Sequence, residues 1–287
     1  MNNLSAAGSF VIGSDLRVTR LGFGAMRITG KGIWGEPADR AESIRVLRRA
    51  VELGIDFIDT ADSYGPRVSE EIIAEALHPY PAGLVIATKG GFERPGPNKW
   101  VENGKPEHLK SACEGSLRRL RVERIDVYQL HRIDPKVPAD DQLGALKELQ
   151  AQGKIKHIGL SEVNVRQIEH AQSIVPIVSV QNRYSLSDRG SEAVLEYCEQ
   201  KRMAFIPWFP LAAGKLSGPD SPVGRVATRS KATPSQVALA WLLARSPVIL
   251  PIPGTSSVQH LEENVAAAGL RLDENTMQEL GEMAHAS

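Results

Sequence analysis

The sequence predicts a closed (β/α)8 barrel preceded by an N-terminal β-hairpin, and three observations carry that expectation. Eight short apolar runs alternate with amphipathic helical stretches, and no Pro/Gly/Ser-rich linker divides the 287 residues. The GxGxxG turn of an open dinucleotide-binding sheet is also missing, because Gly22-Phe23-Gly24 runs on into Ala25-Met26-Arg27. The whole chain, 1–287, is expected to form one barrel domain.

The hairpin pattern is SFVIGSDLRVTRLG. Strand candidates follow at 21–26 (LGFGAM), 55–59 (IDFID), 84–88 (LVIAT), 125–130 (IDVYQL), 155–160 (IKHIGL), 176–180 (PIVSV), 203–208 (MAFIPW) and 248–252 (VILPI). Between them, Leu109, Ala112, Cys113, Ser116, Leu117 and Leu120 recur with helical period, as do Ile44, Leu47 and Val51, so each stretch has one face to bury. The seventh helix announces its start with Thr233-Pro234-Ser235-Gln236, which supplies an N-cap hydroxyl, a first-turn proline and a capping-box glutamine.

Composition narrows the class. With 42% hydrophobic and 24% charged residues and a formal net charge of zero, the chain reads as a soluble enzyme with no excess positive charge for nucleic acid. No window approaches the ~18 apolar residues of a membrane span, and no basic, then apolar leader opens the chain, so a cytoplasmic location is expected. Cys113 and Cys198 lie in helical stretches without metal-ligand or CxxC spacing and are read as buried free thiols; no metal is expected.

A barrel places its chemistry at the C-terminal ends of its strands. Read in order, those ends present Asp59 with Tyr64 in DTADSYG, Lys89 in IATKGG and His131 in YQLHRID. Neighbouring parallel strands lie ~4.8 Å apart, so these side chains converge. Asp59 and Lys89 are expected to form an ion pair, and the lysine's charge is expected to lower the Tyr64 pKa from its usual ~10. A phenol that donates a proton beside an imidazole that holds the oxygen suits hydride addition to a carbonyl.

These residues, with the blocks GIDFIDTADSYG, IATKGG, YQLHRID, KIKHIGLSE, PWFPLAAGKL and PIPGTSSVQHLEEN, resemble the aldo-keto reductase superfamily over essentially the whole chain. RLGFGAM, YGP, WFPL and ATPSQVALAWLLARSP are most similar to its bacterial pyridoxal reductases (the pyridoxine 4-dehydrogenase type). The resemblance implies NADPH-dependent reduction of an aldehyde or ketone, a small-molecule substrate that includes pyridoxal, and Asp59, Tyr64, Lys89 and His131 as the catalytic tetrad. It implies that Ser161 and Gln181 hold the carboxamide of the cofactor, that Trp208 stacks on its nicotinamide, and that Phe209, Pro210, Leu211 and Gly214 cover the pyrophosphate.

At the far end, Gly254-Thr255-Ser256-Ser257 leads into a helix whose exposed amides suit an anion, with Ser256 and Gln259 read as a capping box and Val258, Leu261 and Val265 as its buried stripe. By resemblance this segment grips the 2′-phosphate and adenine, with Glu263 and Asn264 on the adenine side. Gly254 and His260 stand where many members carry a lysine and an arginine, which leaves NADH open as an alternative to NADPH. Glu162 replaces a frequent asparagine, so no carboxamide contact is carried over to it. Trp34 and Trp100 are candidates to line the substrate pocket or to pack at the surface, and Arg132 either meets an anionic group or faces solvent. Two rival readings stand beside the reductase: a cofactor-binding regulatory module similar to potassium-channel β-subunits, and a Schiff-base lyase in which Lys89 has a depressed pKa.

Overall fold

The structure, a computed structural model, describes residues 3–210 and 221–282. It opens on an antiparallel hairpin, β1 (Ser9–Ile12) and β2 (Leu16–Thr19). Along the chain follow β3 (Phe23–Gly24), β4 (Phe57–Asp59), β5 (Val85–Gly90), a second hairpin of β6 (Phe92–Gly96) and β7 (Lys99–Glu102), and then β8 (Ile125–Leu130), β9 (Ile155–Ser161), β10 (Ile177–Gln181) and β11 (Ala204–Phe205). Apart from the β6–β7 hairpin, the later strands form one parallel sheet in the order β11-β10-β9-β8-β5-β4-β3.

The eighth predicted strand closes this sheet into a barrel, although it makes too few ladder bonds to count as a regular strand. Phe205 N donates to Val248 O (2.9 Å) and Leu250 N to Phe205 O (2.8 Å) on one side; Gly22 N donates to Pro251 O (2.9 Å) on the other. Pro251 and Pro253 cannot donate, which explains why the pairing is sparse. Arg20 fastens the same seam from below. Its guanidinium donates to the backbone carbonyls of Leu243 (2.8 Å), Ser246 (2.5 Å) and Ile249 (3.3 Å).

Ten helices among the described residues surround the strands: α1 (Arg40–Glu52), α2 (Val68–Leu77), α3 (Pro106–Leu120), α4 (Ala139–Ala151), α5 (Val165–Gln172), α6 (Glu192–Lys201), α7 (Pro222–Arg229), α8 (Pro234–Arg245), α9 (Val258–Ala266) and α10 (Glu274–Gly281). In α3 the predicted stripe holds, with Leu109, Cys113, Ser116 and Leu120 buried and Ala112 and Leu117 half-buried. In α1 the buried face is rotated toward Ser43, Val46, Leu47 and Ala50, leaving Ile44 and Val51 half-buried. Both cysteines are buried free thiols, pushed up to about 12 by burial. No described helix is long and apolar enough to cross a membrane.

The barrel has one stoppered end. Ile12, Leu16 and Val18 of the first hairpin pack against Phe57, Val85, Val127, Ala204 and Leu250, which point inward from the strands. Each of the larger side chains contributes ~1.5–3 kcal/mol on burial. The site must therefore open at the opposite, C-terminal end.

One element is new and one expectation is corrected. The β6–β7 hairpin was not foreseen, because FERPGPNKW carries turn-forming prolines, glycine and asparagine and little apolar alternation. The cap of α9 is Ser257 rather than Ser256: its hydroxyl accepts from His260 N at 3.5 Å, and Gln259 instead donates to Glu263 at 3.0 Å. On α8 the capping box forms as expected between Thr233 and Gln236.

Candidate active site

Strand alternation sends Asp59, Lys89, Gln129 and His131 into the barrel while Thr88 and Tyr128 turn outward to the helices. The register supports their convergence: Lys89 is opposite Gln129, and Gln181 opposite Ser161. Lys89 is fully buried, its Nζ donating to Asp59 Oδ2 (2.6 Å) and Thr60 O (2.7 Å), with Tyr64 Oη 3.5 Å away. Asp59 Oδ1 accepts from both Gln129 Nε2 and Gln181 Nε2 at 2.9 Å. The carboxylate is thus held on both oxygens.

Gln129 was absent from the sequence expectations. Its signal was an amide two residues before His131 along a strand and therefore on the same barrel face. Gln181 was expected to hold a cofactor carboxamide; in this structure its Nε2 is committed to Asp59.

The expected fall in the Tyr64 pKa is overturned. Burial pushes the phenol above its ordinary value, and the opposing pull of Lys89 does not cancel it. Burial also pulls Lys89 down, but Asp59 and Tyr64 outweigh it, so the lysine stays firmly protonated. A lysine so held is no Schiff-base nucleophile, which removes the support for the lyase reading. Burial drives His131 well below the usual histidine value, assisted by Lys89, Arg132 and Arg94, so its ring is neutral. Its Nδ1 lies 3.3 Å from Ser63 Oγ. When Ser63 donates, the ring proton resides on Nε2.

Above this group opens a cavity of about 940 Å³, walled by Tyr64, His131 and Arg132 at one end and reaching Ser235, Gly254 and His260 at the other. Its aromatic end is built by the β6–β7 hairpin. The Phe92 ring centroid is 4.7 Å from that of His131 and 5.3 Å from that of Trp100, all edge-on. Trp100 therefore lines the cavity, as one of the two readings held. Trp34 pairs instead with Gly65 and packs 5.6 Å from Arg94.

Ser161, Gln181, Trp208, Phe209, Pro210, Gly254 and His260 all reach the cavity wall. Leu211 and Gly214 lie outside the described residues. Thr255, Ser256, Glu263 and Asn264 are not brought to the wall: Thr255 Oγ1 accepts from Ser257 N at 3.1 Å, Glu263 accepts from Gln259, and Asn264 is buried in α9. Glu162 has a task that the sequence did not suggest. Its backbone is left-handed (φ 55°), and its carboxylate accepts from Trp208 Nε1 (2.5 Å) and Arg183 N (2.6 Å), which fixes the indole.

Arg27 and Ser235 are further wall residues that were missed. A Cβ on Gly254 would lie 2.5 Å from Gly24 O and 3.4 Å from Arg27 Cγ. The close approach of the first and last strands thus excludes a side chain at 254 unless the backbone shifts. Arg27 brings a cation to the same place.

The aldo/keto reductase family profile matches residues 20–285. An uncharacterized oxidoreductase of Schizosaccharomyces pombe is 54% identical over 278 residues, covering 97% of this chain and 90% of its own. Pyridoxine 4-dehydrogenase of Escherichia coli is 43% identical over 281 residues, covering 96% and 98%. Among solved structures, an aldo/keto reductase from Klebsiella pneumoniae in complex with NADP and acetate superimposes with a TM-score of 0.80 at 27% identity, covering 95% and 93%. The match spans the seam, the strand-end cluster and the cavity alike: this chain belongs to the aldo/keto reductase family and is an oxidoreductase.

Proposed function

We propose that the protein reduces an aldehyde to its alcohol with NADPH, Tyr64 acting as the general acid. The observation that carries this reading is the fully buried Lys89, bound to Asp59 and 3.5 Å from the Tyr64 hydroxyl, with the neutral His131 ring 6.0 Å from the Tyr64 ring across the cavity mouth. Bound NADPH supplies the hydride. The protein's residues then have separable tasks. His131 presents an Nε2 proton to the carbonyl oxygen and polarises it. Tyr64 gives that oxygen its proton as negative charge develops. Its raised pKa keeps the phenol protonated near neutral pH, and an alkoxide is far more basic, so the transfer runs downhill. Lys89 replaces by its charge the solvation that the buried phenolate would lack, and Asp59 holds Lys89 in place.

The cavity fits the cofactor in size and chemistry. Its volume accommodates a dinucleotide beside a small substrate, Trp208 offers a fixed flat ring, and Arg27 and His260 stand at the far wall to meet phosphate. Arg27 beside Gly254 answers for the missing lysine and favours NADPH over NADH. Pyridoxal is the first substrate to try, because a 43% identical relative is a pyridoxine 4-dehydrogenase.

The test follows NADPH oxidation against an aldehyde panel that includes pyridoxal, with NADH in parallel. Tyr64→Phe should lower kcat by about 10²–10⁴-fold while the Kd for NADPH stays within about twofold. Parental turnover in Tyr64→Phe would remove the phenol from the mechanism. Tight NADPH binding without turnover of any aldehyde would favour the regulatory-module reading.

A further inference from the structure

Arg132 directly follows His131 and lines the cavity beside Tyr64, with its guanidinium carbon 5.5 Å from the Phe92 ring centroid. Its Nη1 is committed, donating to His131 O (2.6 Å) and Ser161 Oγ (3.0 Å). Its Nε and Nη2 have no hydrogen-bond partner among the described residues. A guanidinium does not shed its proton, so this is a permanent cation with two donors left over.

No carboxylate among the described residues bonds to it. Asp59 is the one acidic side chain on the described cavity wall, and it is tied to Lys89. Glu162 and Glu102 are close enough to be felt electrostatically, but neither carboxylate bonds to the guanidinium. The neighbouring walls are aromatic, with the guanidinium over the Phe92 ring and Trp100 packed against that ring.

We propose that Arg132 is a specificity-determining residue that selects flat aromatic aldehydes carrying an anionic oxygen, a carboxylate or a phenolate, on the ring. This rests on the aldehyde-reductase reading and deepens it. The hairpin aromatics receive the ring, His131 and Tyr64 take the carbonyl oxygen, and the spare Arg132 donors take the anion. A charge-assisted bond from a partly desolvated guanidinium is among the stronger polar contacts a protein makes.

The experiment compares 3-carboxybenzaldehyde and 3-hydroxybenzaldehyde, the latter above and below its phenol pKa, with the near-isosteric but neutral 3-formylbenzamide. In the parent protein with saturating NADPH, kcat/KM for the carboxylate should exceed that for the amide by about 10- to 100-fold, mainly through KM. The 3-hydroxybenzaldehyde arm reports whether a phenolate is also accepted. Arg132→Gln should bring the carboxylate-to-amide ratio close to unity, and Arg132→Lys should restore it in part. Comparing ratios within one protein cancels any general loss through Ser161 and the cofactor.

A parental ratio near unity for both anions, or a ratio unchanged in Arg132→Gln, overturns the proposal while leaving the reductase reading in place. If no aldehyde turns over, the reductase reading falls instead. The anion is then still decided by binding: in calorimetric titrations of the NADPH-loaded parent, benzoate should bind with a Kd about tenfold lower than benzamide, and equal binding of the two would overturn it. The binding arm also decides the matter if Arg132→Gln fails to fold.

Discussion

Lys89 keeps its charge without any contact with solvent because Asp59 is 2.6 Å away and Thr60 O takes a second proton. A buried pair of this kind contributes little net stability, and breaking it is costly because the orphaned partner remains charged in a poor solvent. Asp62, three residues after Asp59, shows the opposite case. Its carboxyl is pushed up to about 8 by burial and by Glu70, against the weaker pull of Arg119 and Arg67. An unfolded carboxyl titrates near ~3.9, so between those values the folded protein keeps a proton that the unfolded chain releases. This contribution is complete below pH ~4 and is lost as pH rises through about 8. Asp62→Asn, neutral at every pH, should therefore raise the melting temperature relative to the parent at pH 8–9, and the gain should shrink toward pH 4. For a chain of this size each ~1 kcal/mol corresponds to roughly 2–4 °C. Thermal melts across that range check it, and a difference that does not vary with pH would count against the assignment.

At the scale of elements, α8 is tied down at its start. Thr233 Oγ1 accepts from Gln236 N (3.2 Å), Gln236 Oε1 accepts from Thr233 N (2.9 Å), and Gln236 Nε2 reaches Glu263 O in α9 (2.9 Å). This box holds Ser235 at the cavity wall. Thr233→Ala should cost about 1 kcal/mol in urea unfolding, and an unchanged midpoint would show that the cap is idle. The box was legible because it depends on four adjacent residues. The strand positions were legible too, since the parallel strands leave short, mainly apolar runs bounded by helical stretches. What was not legible came from non-local geometry. The β6–β7 hairpin folds from turn-like residues yet supplies Phe92 and Trp100, while Arg27 and Ser235 reach the cavity, and Gln129 reaches Asp59, only once distant strands and helices meet. The rise in the Tyr64 pKa had the same origin: the lysine beside it could be read from spacing, whereas the depth of its burial could not.

At the scale of the molecule, the seam between Gly22 and Pro251 holds the barrel shut, and Arg20 is its fastening. Arg20→Met would leave carbonyls of Leu243 and Ser246 without that donor and should destabilise the protein by about 1–3 kcal/mol, with kcat/KM at 25 °C unchanged. Denaturant unfolding beside a steady-state assay checks both halves, and equal stability would discount the fastening. The seam has a further consequence for how the protein comes into being. Gly24 and Gly254 meet side by side in the cavity wall, yet the ribosome makes one long before the other. A nascent chain carrying every strand-end residue from Asp59 to His131 still has an open sheet and nothing to hold a ligand across the gap. Ligand competence thus waits for the last strand to dock beside the first, and anything bound against both sides of that seam acts afterwards as a staple that slows their parting.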